Sequence, residues 1–167
     1  MLLKFIGGII IICISIGMGQ YLAYRDKKRI DFLESFNHDI IILKSRISER
    51  EKLMDAINYV GNLSEYGCFW KLWAKKLQEN NVRISFELSI REMSDRLNLT
   101  KTDIRTMLMI TSVLGKTDIK SQKEHIDYVF DMIKIIINNA RKEYETNSRL
   151  YKSAGVLGGI FLVILLL

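Results

Sequence analysis

Few residues in this chain are spaced for catalysis. Gly115-Lys116-Thr117 has the ending of a phosphate-binding loop, whose glycine-rich backbone curls round phosphates while Lys and Ser/Thr reach phosphate and magnesium. That loop needs a second glycine five residues before Gly115, after a strand. The position holds Ile110, inside an apolar helical stretch, so the three residues read as a helix stop followed by a helix cap. Glu124 and His125 are adjacent and Asp127 follows; neighbours leave different faces of a helix and do not readily share a metal. His38 and Asp39 meet the same objection. With 2 histidines in the chain and no His/Cys/carboxylate cluster at ligand spacing, neither zinc nor a di-metal centre is expected. Trp70 and Trp73, three apart, read as core rather than a ligand cage. Cys13 and Cys68 lie in different kinds of segment, so free buried thiols are expected. No Ser-His-Asp or Cys-His constellation is present. The expectation is a protein with no catalytic site, cofactor or metal.

The elements around these residues are organised by charge. Phe5 to Tyr24 and Ser153 to Leu167 carry no formal charge, and of the 25 basic and 19 acidic residues only Lys4 lies outside the stretch between them. At about 1.5 Å per residue the first stretch covers roughly 30 Å, the thickness of a hydrocarbon core, and Tyr21 and Tyr24 stand where aromatic rings favour the headgroup layer. The second covers about 22 Å and spans only by recruiting Leu150 and Tyr151 while Lys152 snorkels. A cleaved signal peptide is disfavoured, because no Ala-x-Ala-like site follows the apolar run and its exit is basic. Residue 13, a cysteine after Ile12, does not fit a lipoprotein signal. The expected organisation is a transmembrane helix over 1–24, a cytosolic domain over 25–152 and a second transmembrane helix over 153–167.

Arg25, Lys27, Lys28 and Arg29 leave the first span, and Arg141, Lys142, Arg149 and Lys152 approach the second. Clusters of Lys and Arg stay cytoplasmic, so both ends place the middle domain inside. Without these flanking residues the domain has no basic excess. The net charge of +6 therefore reads as attraction to anionic lipid. No basic stripe interleaved with aromatics points to nucleic acid.

The middle has a helical period throughout and the chain has no proline. Ile30, Leu33, Phe36, Ile40, Leu43 and Ile47 continue the first span as one helix to about Arg46. Ser48-Glu49-Arg50-Glu51 reads as a capping box opening a second helix with Leu53, Ile57 and Val60 inward. Gly61 is its expected terminal glycine. A third helix carries Phe69, Trp70, Leu72, Trp73 and Leu77 to Asn80-Asn81. Ser85 caps a fourth, with Phe86, Ile90, Met93 and Leu97 buried. Thr100 caps a fifth, with Ile104, Met107, Leu108, Thr111 and Leu114 on one face. The last helix runs from Asp118 with Ile119, Gln122, Ile126, Val129, Ile133, Ile136, Ala140 and Tyr144 at near-heptad spacing, and no stop separates it from the C-terminal span. The β-branched runs at 40–42 and 135–137 fall inside these helices. The fold class is all-α: a cytosolic bundle of about six helices whose first and last enter the membrane.

The spans also carry small residues at a spacing of four. Ser15 and Gly19, Ala154 and Gly158, and Gly155 and Gly159 would let backbones approach closely in lipid. The partner is the first span of the same chain or a second protomer, as in a homo-oligomer.

Two stretches resemble a known family. Leu114-Gly115-Lys116-Thr117-Asp118-Ile119-Lys120-Ser121-Gln122-Lys123-Glu124-His125-Ile126 is similar to the mid-domain signature of the stage III sporulation protein AB family. The ending from Tyr151 through Gly155, Gly158 and Gly159 to Leu167 is similar to that family's C-terminus. The first half departs from the pattern, with no proline after the first stalk and Phe86 or Leu88 where the family carries a tryptophan. The resemblance implies a component of the secretion-like channel between mother cell and forespore in endospore formers. Its helical domain is similar to the F-type inner-membrane platform proteins of type II secretion and type IV pilus systems. It further implies a mother-cell membrane around the forespore as the location. The implied partners are the membrane, other channel components and a companion cytoplasmic ATPase, stage III sporulation protein AA. Docking candidates are Leu114, Gly115, Asp118, Gln122 and His125, which equally serve to shape a turn. The alternative function is a membrane-tethered helical signalling or regulatory protein.

Overall fold

Trp70, Trp73 and Phe69 lie on one short helix and are fully buried. In the computed structural model, which describes residues 2–49, 51–112, 114 and 119–166, the rest of the domain is assembled around them. The helices are α1 (Leu2–Ser48), α2 (Leu53–Leu63), α3 (Gly67–Leu77), α4 (Val82–Leu97), α5 (Lys101–Leu108) and α6 (Ile119–Leu166), with a 3₁₀ turn at Met109–Ser112. Among the described residues there is no strand, and the all-α expectation of six helices holds. The chain divides into two units, Arg29–Asn138 and the two ends, 1–28 with 139–167.

In the first unit, α3 is the hub because it carries three large rings on one face. Phe36 of α1 stacks on Trp70 with centroids 5.5 Å apart, and Phe86 of α4 meets Trp73 edge-on at 4.8 Å. Phe32 of α1 completes the cluster against Phe69 and Tyr66. Offset and edge-on pairs add about 0.5–1.5 kcal/mol each beyond the area they bury. The indole nitrogens find partners inside the core. Trp73 Nε1 donates to Ser85 Oγ at 3.1 Å and Trp70 Nε1 to Asp39 Oδ2 at 2.7 Å. From α6, Ile126, Val129, Ile133, Ile136 and Ile137 supply the three-and-four-spaced stripe that closes the core.

Helix boundaries depart from the sequence reading at five places, one of them the end of α3, which falls at Leu77 rather than at Asn80-Asn81. Ser48 does not open α2; it ends α1, its hydroxyl donating back to the Lys44 carbonyl at 2.7 Å. Glu51 instead accepts from Arg46 at 3.0 Å, and α2 starts at Leu53 with no side-chain cap. Gly61 does not terminate α2, which runs on to Leu63. Its role is steric: a Cβ there would lie 3.2 Å from Trp70 Cβ, and one on Gly67 would strike the Gly61 carbonyl oxygen. The α2–α3 crossing thus requires glycine at 67 and leaves little room for a side chain at 61.

Ser85 lies inside α4. Asn81 is the cap, its side chain accepting from the Ile84 N–H at 2.9 Å. α4 closes on Asn98 in the left-handed conformation, φ 54°. The fifth helix ends at Leu108 rather than near Leu114, and the chain tightens into the 3₁₀ turn. Thr100 does cap α5, and the capping box is complete: Asp103 N–H donates to Thr100 Oγ1 at 3.2 Å and Thr100 N–H to Asp103 Oδ2 at 2.8 Å.

Candidate functional site

The stretch from Leu114 to Ile126 is partly core: Leu114, Gln122, one turn into α6, and Ile126 are buried. His125, half-buried, places Nε2 3.0 Å from both the Met109 carbonyl oxygen and the Ser112 hydroxyl, joining α6 to the 3₁₀ turn. With its proton on Nε2 the ring donates to that carbonyl. Gly115 and Asp118, with Lys116 and Thr117 between them, lie outside the described residues. Of the candidates that are described, Leu114 and Gln122 thus face inward and His125 joins the 3₁₀ turn.

The adjacent pair His38-Asp39 has a different meaning. Asp39 is 3% exposed. Its Oδ2 accepts from Ser64 Oγ at 2.5 Å and from Trp70 Nε1 at 2.7 Å, so it ties α1 to the start of the α2–α3 connection and to α3. Burial pushes its carboxyl above the ordinary 3.8, only partly offset by those two hydrogen bonds and by His38. A carboxyl raised in the folded state holds its proton longer there than in the unfolded chain. Its contribution to stability is thus complete below pH 3.8 and lost as pH rises through the folded value. Asp39→Asn should abolish this decline, because the amide oxygen still accepts from Trp70 and carries no charge. Denaturant melts of the full-length protein in detergent at a series of pH values check this; an unchanged pH slope in the variant would contradict it.

Asp39 lines a groove of about 700 Å³ with Asp31, Glu34, His38 and Glu65, between α1 and the end of α2. A second groove, of about 510 Å³, separates α4 from α5. Among the described residues no three His, Cys, Asp or Glu side chains converge to hold a metal ion. Trp70 and Trp73 are core, not a cage. The thiols depart from expectation: Cys13 and Cys68 are both free, but both are exposed.

Of the cations expected beside the membrane, Arg29 has another employment. Its Nε and Nη2 meet Asp103 Oδ2 and Oδ1 at 2.7 and 3.0 Å, and the side chains are 12% and 0% exposed. The same Asp103 closes the α5 capping box, so one carboxylate serves two elements. Lys27, Lys142, Arg149 and Lys152 are exposed, as is Arg141; Arg25 and Lys28 are half-buried.

In the second unit, the ends of α1 and α6 meet through the small residues. A Cβ on Gly155 would lie 2.7 Å from the Ser15 carbonyl oxygen. One on Gly159 would lie 3.1 Å from Ser15 Cβ, and one on Gly19 would strike the Tyr151 carbonyl oxygen. Of the two partners left open by the sequence, the first helix of the same chain occupies this face. Around Gly158 nothing among the described residues of this chain lies within 4 Å of a Cβ. The Ser15 and Gly159 Cβ positions lie a few tenths of an ångström inside the separation a disulfide needs, about 3.5–4.5 Å, so a slight parting of the helices suffices. In a chain with Cys13 and Cys68 replaced by Ser, Ser15→Cys with Gly159→Cys should crosslink on oxidation. Gly155→Leu should abolish the crosslink and Gly158→Leu should preserve it; equal crosslinking in both, read on a non-reducing gel, would refute this helix pairing.

Sequence reasoning missed the Arg29–Asp103 pair, the buried Asp39 and the basic lining of the α4–α5 groove. Only the first had a local signal, Thr100-x-x-Asp103, which marks the cap but not its distant cation.

These features define a class: an all-α protein with a dense aromatic core, whose first and last helices are each long and apolar enough to cross a membrane. Residues 4–167 match the family described as stage III sporulation protein AB, and the chain belongs to that family. A curated relative, stage III sporulation protein AB of Bacillus subtilis (strain 168), is 26% identical over 88 residues. That match covers 53% of this chain and 52% of the relative, about half the length of each. A solved structure of stage III sporulation protein AB aligns with a TM-score of 0.62 at 16% identity, covering 70% of this chain and 96% of the other, a likeness of fold.

Proposed function

We propose that this chain is a non-enzymatic platform in the secretion-like apparatus between mother cell and forespore, docking a cytoplasmic ATPase. The observation that carries the reading is the continuity of α1 and α6. Each runs unbroken for 47 and 48 residues from the aromatic core into an apolar end. Each helix joins the folded domain to an apolar end with no intervening loop. That is the mechanical requirement of a part that couples a cytosolic motor to a membrane machine.

In this reading residues 1–24 and 153–167 cross the mother-cell membrane around the forespore. Residues 25–152 stand in the cytosol, and Arg25, Lys27, Lys28, Arg141, Lys142, Arg149 and Lys152 face the anionic leaflet. Leu114, Gly115, Asp118, Gln122 and His125 are the docking candidates of this reading; of these, Leu114 and Gln122 are buried and support the face from within.

Two experiments test this reading. Purified full-length protein in detergent should co-elute with stage III sporulation protein AA; separate elution at micromolar concentrations would remove the docking claim. Exposed Cys68, in a Cys13→Ser background, should resist a membrane-impermeant maleimide in intact cells and react after permeabilisation; rapid labelling of intact cells would reverse the topology.

A further inference from the structure

We propose that the groove between α4 and α5 is a docking site for an acidic amphipathic helix of a partner protein. Arg83 and Arg91 stand on the α4 bank and Lys101 and Arg105 on the α5 bank, with Ile104 and Leu108 as the apolar lining between them. All four cations are exposed, and the two apolar side chains are half-buried. Glu87 is the one carboxylate in the lining, and Arg91 already occupies it, donating to Oε1 through Nε at 3.0 Å and Nη2 at 2.7 Å. Arg83, Lys101 and Arg105 have no carboxylate partner among the described residues. Like charges gathered round one groove repel each other, and an acidic partner relieves that repulsion.

The sign is local to this groove. The groove between α1 and α2 is lined by Asp31, Glu34, Asp39 and Glu65, so the positive lining here does not reflect an evenly basic domain.

Size and chemistry select a helix. Arg83 to Arg91 covers about 12 Å along α4 and Lys101 to Leu108 about 10 Å along α5. Two to three turns of a third helix fit that length, setting apolar side chains at i, i+3 or i+4, and i+7 on Ile104 and Leu108. Carboxylates on its flanks would meet the cations of either bank. Free phosphate or a lipid headgroup would use the cations but leave the apolar lining without a partner. The inference stands whether or not the partner is an ATPase.

The test uses the full-length protein in native membranes of a sporulating host lacking its own copy. Benzoylphenylalanine replaces Thr102, exposed beside the groove, and the photo-adduct is sequenced. The expected adduct is a protein segment with an apolar helical stripe flanked by Asp or Glu. Arg83→Glu with Arg105→Glu, both at the surface and checked for unchanged melting, should lower adduct yield about tenfold, as expected for lost charge-assisted contacts. Exchanging the flanking acids of the sequenced segment for Arg should restore it. Adducts confined to lipid, adducts to segments without carboxylates, yields unmoved by charge reversal, or no adduct would each overturn the proposal.

Discussion

Asp103→Ala should destabilise the protein by about 3–5 kcal/mol, the range for removing one partner of a buried ion pair. Asp103 is fully buried against an Arg29 guanidinium that is itself 12% exposed. The loss has two parts. A guanidinium is left in a poorly solvated site without this bidentate carboxylate, and it cannot shed its proton to escape. The first turn of α5 also loses the acceptor for the Thr100 N–H, a cap contribution of about 1 kcal/mol. Asp103→Asn separates the parts: the amide oxygen can still accept from Thr100, so only the electrostatic share is lost. Arg29→Met with Asp103→Asn should recover part of the loss, since no cation is then left to be held in the poorly solvated site. Urea titration of the full-length protein in detergent gives the comparison. A cost for Asp103→Ala no larger than that of an exposed substitution such as Glu92→Ala would mean that the pair does not hold α1 to α5.

Trp70→Ala should cost at least as much, about 3–5 kcal/mol from packing alone. The ring is fully buried, stacked on Phe36 and in contact with Phe69 and Trp73. Its removal also strips one of the two hydrogen bonds that Asp39 accepts. Trp70→Phe keeps much of the apolar bulk and deletes the donor, and should cost about 1–3 kcal/mol for the buried acceptor left short. The coupling is measurable. In Asp39→Asn the penalty of Trp70→Phe should shrink, because a neutral acceptor is cheaper to leave with one partner than a carboxylate. Strictly additive effects in that double-mutant cycle would show that the charge of Asp39 adds nothing to its hydrogen bond with Trp70. Against a typical domain stability of about 5–15 kcal/mol, either Ala variant should lower the level of folded protein in cells.

What was legible in the sequence was periodic or charge-segregated. The six helices, the inward faces of α1 and α6, the Thr100 cap and the small residues of the apolar ends all follow from short-range spacing. The misreadings share a cause: a residue type that serves two ends, decided by something distant. Ser48 and Ser85 are good caps, but each hydroxyl bonds back within its own helix, to Lys44 and Val82, and Ser85 also receives Trp73 from α3. Gly61 looked like a stop because a glycine that ends a helix and one that admits another helix have the same local sequence; only Gly67 across the crossing distinguishes them. Arg29 followed three cations beside an apolar segment, and its true partner lies 74 residues away. The adjacency argument set His38 and Asp39 on different faces of their helix. It could not show that Asp39 turns inward, because its partners stand 25 and 31 residues on.

The register of the two apolar ends bears on the order of assembly. Gly19 lies against Tyr151, Ser15 against Gly155 and Gly8 against Val163, so each contact joins residues more than 130 positions apart. The crossings of α2 with α3 and of α3 with α4 join neighbours in the chain. Loops close faster when short, and a ribosome delivers the early helices first. The aromatic core therefore has every local contact it needs while α1 still waits for its companion. The glycine seam is the last thing made, and until then the first apolar helix must be sheltered by something other than its own chain.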